Sequence, residues 1–288
     1  MLASMDERRI QRAARQSLRI DQLLGAASVP LGSGGEMMEL LQTAAPPPPS
    51  TPSTSTPAAH APARPARQPA TKTGVLQAGG RADEPLPADT MTLDEKIAAL
   101  EALATEHAAQ CPHCSPQAGK LNMVFGEGDP DAAVMFVGEG PGADEDRLGR
   151  PFVGRAGQLL DKQITAMGLE REQVYIANIV KTRPPANRVP TPAEAALCMP
   201  YLQRQIEIIH PKVLVSLGAT SAKYLLSNPK LQITKERGTW RDFRGIQLMP
   251  TFHPAYLLRA YTRENRLAVW DDLKKVLETA GYPVPAGK

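Results

Sequence analysis

The sequence predicts an α/β protein: a three-layer α/β/α domain around a central, mainly parallel four-stranded sheet, preceded by a long disordered N-terminal extension. Three observations carry this. Four short apolar runs with β-branched content recur after residue 130: "AAVMFVG" from Ala132, "VYIANIV" from Val174, "VLVSLG" from Val213 and "IQLMPTFH" from Ile246. Each has strand length. Stretches of helical period separate them, and strands alternating with helices build a parallel sheet covered on both faces. A change of composition near residue 90 sets this part off from what precedes it, leaving enough chain for one substantial core.

Taken in order, residues 1–27 include "MDERRIQRAARQSLRIDQLLG", where Ile10, Ala14, Leu18 and Leu23 fall near helical spacing and Gly25 ends the pattern. A short helix for a protein partner is the expectation. Asp6, Glu7 and Asp21 argue against a transit peptide, and there is no secretory apolar segment. Residues 28–89 contain "AAPPPPSTPSTSTPAAHAPARPARQP", which has too few apolar side chains to offset the entropy of ordering it. That stretch reads as a disordered linker. It is mildly basic, since no acidic residue occurs between Glu39 and Asp83 while Arg64, Arg67, Lys72 and Arg81 do.

Residues 90–288 form the expected folded domain. It opens at "TMTLDEKIAALEALATEHAAQ", where Thr92 and Glu95 make a capping box and Ile97, Leu100 and Leu103 a helical stripe. Further helices are expected from Gly154 ("GRAGQLLDKQITAMGL"), Thr191 ("TPAEAALCMPYLQRQIEIIH"), Ala219 ("ATSAKYLL") and Arg263 ("RENRLAVWDDLKKVLETAG"). Ligands of such sheets sit at the carboxyl ends of the strands. Gly138-Glu139-Gly140-Pro141-Gly142 follows the first strand, Asn178 and Lys181 the second and His253 the fourth. Their convergence on one rim marks a candidate site.

The formal charge of +3 and a pI near 8.7 permit nucleic-acid binding. No apolar run approaches a membrane span, so no membrane partner is expected. Three cysteines in a chain without a secretion signal do not suggest a disulfide framework. A cytoplasmic monomer associated with DNA is the expectation.

"VGEGPG…ED…GRPFVGRAGQLL", "VYIANIVKTRPPANR" and "FHPAYLLR" together strongly resemble the family 4 uracil-DNA glycosylases, the iron-sulfur branch of that superfamily. The resemblance runs from Cys111 to about Leu273. It implies a monofunctional glycosylase of base-excision repair that flips uracil out of DNA, hydrolyses its N-glycosidic bond and leaves an abasic site. No lysine stands among the motifs as a Schiff-base nucleophile, so no lyase step is expected.

Residue by residue, the resemblance makes Phe152 the stacking platform for the flipped base and Asn178 its reader, accepting from uracil N3–H and donating to O4. Cytosine offers the opposite pattern at those atoms. His253 would donate to uracil O2 as charge gathers there, with amides of the Gly140–Gly142 turn adding to it. Glu139 would sit by the sugar, orienting or deprotonating water or stabilising the positive sugar, and Asn187 matches another active-site position. Tyr256, Leu257, Leu258 and Arg259 form an apolar wedge and a cation for the minor groove. Candidate phosphate contacts are Lys181, Arg183, Arg188, Arg237 and the amides of Gly218 to Ser221.

The family holds a [4Fe-4S] cluster on four cysteines. Cys111, Cys114 and Cys198 match three of them, and Thr182 stands where the remaining one is expected. Three thiolates would leave one iron labile, His113 or His107 could supply a fourth ligand, or the metal is lost. A zinc site would need the same missing ligand. Two rival readings of function remain: a degenerate, non-catalytic DNA-binding or repair-scaffold protein, and a glycosylase for another deaminated base.

Overall fold

The computed structural model describes residues 84–114 and 122–285. The expected N-terminal helix and all of the expected linker up to residue 83 lie outside the described residues.

Helix α1 (Leu93–Gln110) starts where the capping box places it: Glu95 N–H donates to Thr92 Oγ1 at 3.4 Å and Thr92 N–H to Glu95 Oε2 at 2.7 Å. There follow β1 (Glu127–Gly128), β2 (Val134–Gly138), α2 (Ala143–Leu148), α3 (Arg155–Ala166), β3 (Tyr175–Asn178), α4 (Pro192–Ile209), β4 (Val213–Leu217), α5 (Gly218–Leu225), α6 (Ile233–Glu236), β5 (Arg241–Phe243), β6 (Ile246–Thr251), α7 (Pro254–Arg259) and α8 (Arg263–Ala280).

The sheet order is β1-β3-β2-β4-β6-β5. The four expected strands, β3-β2-β4-β6, are mutually parallel, and two short antiparallel edges extend them to six. Those edges carry two and three residues, "EG" and "RDF", too short and too polar to show as apolar runs.

Alternation along β2 explains the three layers. Met135 and Val137 pack with Leu100, Leu103, Leu202 and Ile206 of α1 and α4, while Val134 and Phe136 pack with Leu160, Ile164, Leu273 and Val276 of α3 and α8. Every residue of β2, β3 and β4 is buried, as strands covered on both faces must be.

Order begins before the expected boundary at residue 89. Buried Lys96 donates to Asp89 Oδ2 at 2.6 Å, Asp131 Oδ1 at 2.9 Å and the carbonyl of Ile209 at 3.1 Å. Leu86 N–H bonds the carbonyl of Arg244 at 2.9 Å. Residues 84–89 thus lie against the domain. A lysine that deep requires carboxylate partners, and the upstream segment supplies one.

Candidate active site and metal centre

A cleft of about 630 Å³ opens at the carboxyl ends of the parallel strands, lined by Glu139, Gly140, Gly142, Phe152, Asn178, Asn187 and His253. The register puts Gly138 beside Asn178 across β2 and β3. A Cβ at Gly138 would come within 2.4 Å of Asn178 Oδ1 and 2.5 Å of Phe152 Cζ, so only glycine lets amide and ring sit this close. Asn178 is 1% exposed, and its Oδ1 has no hydrogen-bond partner among the described residues. A buried carbonyl left unpaired costs about 1–3 kcal/mol. A ligand donor would remove that cost.

Phe152 adopts φ +51°, rare for a bulky side chain. Arg171 helps hold it there: Nη2 donates to the carbonyl of Pro151 at 2.5 Å and Nη1 to that of Phe152 at 3.3 Å, while Nε binds Glu127 Oε1 at 2.7 Å and Nη1 binds Asp161 Oδ1 at 2.6 Å. The Phe152 ring centroid lies 5.6 Å from that of His253, at 31°.

His253 caps α7, its Nδ1 accepting from Ala255 N–H at 3.0 Å. That bond puts the proton of the neutral ring on Nε2. Burial pushes its pKa down to about 4, and the charge of Arg259 adds to the shift. Near neutral pH the ring is therefore an uncharged donor.

Glu145 stands in the "ED" of the resemblance motif, with no role expected of it. Its Oε2 accepts from Gly142 N–H at 3.0 Å and its Oε1 from Val153 and Gly154 N–H, both at 2.9 Å. One carboxylate thus ties the glycine turn to the backbone beside Phe152. Its signal was a Glu three residues after the Gly142 cap, the spacing that reaches back to a cap N–H. The Gly142 N–H is engaged by this bond, so the expected donation from that amide to a base is corrected. Glu145→Gln, which turns an N–H donor toward other donors, is expected to lower kcat/KM of the reaction this cleft carries out about 10- to 100-fold with native far-UV circular dichroism, an energy of the size of one to two charge-assisted bonds.

Several expected DNA contacts do not survive. Lys181 is fully buried, donates to Gln205 Oε1 at 2.5 Å and lies 5.7 Å over the Phe125 ring. Burial pushes its pKa down to about 7. It cannot reach a phosphate. Arg237 is engaged by Asp272, at 2.6 and 3.1 Å, and by the carbonyl of Ala268, and stacks 5.5 Å over Phe252. It braces α8 against the end of β6, where Thr251 Oγ1 also donates to Asp272 at 2.6 Å. Leu257 is buried, whereas Tyr256, Leu258 and Arg259 are exposed. "PAYLLR" is a helix, in which adjacent leucines face different ways.

Arg188 stays on the exposed rim in a bidentate pair with Glu194, at 2.6 and 2.7 Å. Arg183 Nε donates to Asn187 Oδ1 at 2.7 Å, positioning an asparagine whose φ is +55°. Gly218, Ala219 and Thr220 line the cleft at the start of α5, but Ser221 is buried and its hydroxyl bonds the carbonyls of Leu217 and Gly218.

The three cysteines converge. Cys111, Cys114 and Cys198 are all buried, with Cys114 Sγ 3.3 Å from Cys198 Sγ and 3.6 Å from Thr182 Oγ1. The ligand atoms of His107, Cys111, Cys114 and Cys198 lie within 4.8 Å of one another. Soft sulfur donors and a buried imidazole suit a thiolate-bound metal, so the residues present fit a metal centre. His113 is elsewhere, its Nδ1 3.9 Å from Glu194.

Comparison with known proteins agrees with this geometry. The model of the uracil DNA glycosylase superfamily matches residues 125–274. A type-4 uracil-DNA glycosylase of Thermotoga maritima is 48% identical over 177 residues, 61% of this chain and 92% of that protein. One of Sulfurisphaera tokodaii is 46% identical, covering 62% of this chain and 84% of that protein, and one of Archaeoglobus fulgidus is 40% identical, covering 61% and 90%.

Proposed function

The chain belongs to the uracil DNA glycosylase superfamily, and on that premise we propose that it is a monofunctional uracil-DNA glycosylase that flips uracil out of DNA and hydrolyses its N-glycosidic bond. The observation that carries the reading is the unpartnered Oδ1 of buried Asn178 beside the ring of Phe152 on the cleft wall.

Extrusion of the base costs a few kcal/mol. Stacking on Phe152 returns about 1–3 kcal/mol of it. Asn178 Oδ1 accepts from uracil N3–H while its amide nitrogen donates to O4. As the bond between uracil N1 and deoxyribose C1′ breaks, the electron pair leaves with uracil and charge collects at O2, where His253 Nε2–H donates to it. Water adds to C1′ and gives up a proton, with Glu139 placed in the cleft to orient that water or receive the proton. The products are free uracil and an abasic site. In this reading Tyr256, Leu258 and Arg259, the exposed groups of α7, enter the DNA helix where the base has left.

A [4Fe-4S] cluster on Cys111, Cys114 and Cys198 is part of the same reading. Glycosidic hydrolysis moves no electrons, so such a cluster, when bound, supplies structural cross-linking. It would pin the end of α1 to α4, beside the loop after β3, where Thr182 Oγ1 lies 3.6 Å from Cys114 Sγ.

The test is release of uracil from a single-stranded oligonucleotide by anaerobically purified protein. Phe152→Ala is expected to lower kcat/KM about 5- to 150-fold, the range of one lost base stack. Absence of uracil release by the folded, DNA-bound wild-type protein would favour the scaffold reading instead.

A further inference from the structure

We propose that His107 is the fourth protein ligand of the cysteine-rich metal centre, standing in for the cysteine that Thr182 replaces. The inference rests on the presence of a metal centre and goes beyond it by assigning a residue that no cysteine pattern points to.

Three observations converge on this ring. His107 sits four residues before Cys111, one helical turn back on α1, so the helix delivers imidazole and thiol to the same side. Its ligand atom lies within 4.8 Å of all three cysteine sulfurs. The ring is fully buried, neither nitrogen meets a partner in hydrogen-bond geometry among the described residues, and the group it interacts with electrostatically is the Cys111 thiol of the same cluster. A histidine kept only for packing would pair at least one nitrogen, as nearly all buried polar groups do. Its ring neighbours, Tyr201 at 4.1 Å and Phe125 at 6.2 Å between centroids, hold its plane without satisfying a nitrogen.

The competing donors are weaker. His113 Nδ1 is turned toward Glu194 at 3.9 Å. Thr182 reaches the group, its Oγ1 3.6 Å from Cys114 Sγ, but a neutral hydroxyl is a poor ligand for the soft, thiolate-bound ions this pocket suits. Three cysteines and one histidine are a complete tetrahedral set, known both for single zinc ions and, with mixed ligation, for iron-sulfur centres. Four donors around one zinc lie roughly 3.5–3.8 Å apart, within the observed spread, while a four-iron cluster needs the thiolates to move outward. The imidazole assignment is common to both occupants.

The experiment compares wild type, His107→Ala, His107→Cys and the double variant His107→Ala/Thr182→Cys, all purified anaerobically. Iron, sulfide and zinc are counted per chain, and the reduced protein is examined by pulsed electron paramagnetic resonance for nitrogen coupling. The expected result is four irons and four sulfides with a histidine nitrogen coupling in the wild type. His107→Ala should lose one iron and the coupling. His107→Cys and the double variant should regain the iron without the coupling.

A four-iron cluster lacking nitrogen coupling and unchanged in His107→Ala would overturn the ligand assignment and leave the cluster standing. One zinc and no sulfide would overturn the cluster; X-ray absorption showing three sulfurs and one nitrogen would then support His107, and any other shell would overturn it. Wild-type protein that is folded and metal-free would overturn both.

Discussion

Replacing Asn178 by Ala is expected to lower kcat/KM for uracil excision by about 10⁴-fold, the scale on which a site built around hydrogen bonds rejects a mismatched partner. The wild-type site already holds its acceptor desolvated and unpaired, so no reorganisation is needed when uracil arrives. Truncation removes both bonds and leaves uracil N3–H and O4 buried and unmet. Asn178→Asp separates the two halves of the recognition. It keeps an acceptor for N3–H but places a second acceptor against O4, so a loss of about 10²- to 10³-fold is expected, with discrimination against cytosine weakened. The measurements are single-turnover rates on oligonucleotides carrying one uracil or one cytosine, alongside thermal melts. Gly138→Ala is an independent check on the same pocket, since the added methyl must displace either the Asn178 oxygen or the Phe152 ring. Full activity in Asn178→Asp with unchanged base preference would mean that uracil is read elsewhere.

Much of this site was legible because its residues are tied to strand ends. Four apolar runs located β2, β3, β4 and β6, and the parallel arrangement then sent Glu139, Asn178 and His253 to one rim. The direction of an individual side chain was less legible. Lys181 is a cation three residues beyond Asn178, and by sequence it equals any phosphate contact. In the structure it is bonded to Gln205 under the sheet. Leu257 and Leu258 are likewise identical by type, and only the helical turn they occupy separates a core residue from an exposed one. Arg237 was misread for a related reason: its partner Asp272 lies 35 residues away, and long-range ion pairs leave no local pattern. Glu145 shows the converse, a local signal that was present and was given no role. Its three backbone bonds link the glycine turn to the aromatic loop, so the carboxylates of "VGEGPGADED" serve two ends, Glu139 lining the cleft and Glu145 shaping it.

His253→Ala is expected to reduce kcat about 10²- to 10³-fold, the usual effect of deleting one donor aimed at a developing oxyanion. KM should change little, because the interaction grows as charge moves onto the base and is weak in the ground state. The titration of this ring gives a second, independent readout. Burial first, and then the charge of Arg259, depress its pKa from 6.5 to about 4. The histidine contribution to the acid limb of the rate profile should therefore fall near pH 4, and the rate should show no break at 6.5. Stability follows the same shift with a definite sign. Between pH 6.5 and 4 the unfolded chain takes up a proton that the native ring refuses, so acidification through that window favours unfolding, and below pH 4 both states are protonated and the slope from this group vanishes. His253→Ala should remove that slope, seen as the difference between wild-type and variant unfolding free energies across the window. A wild-type rate profile that breaks at 6.5, with no difference in slope between the two proteins, would mean that His253 is solvated and charged in the native state, and the neutral Nε2–H donor would have to be abandoned.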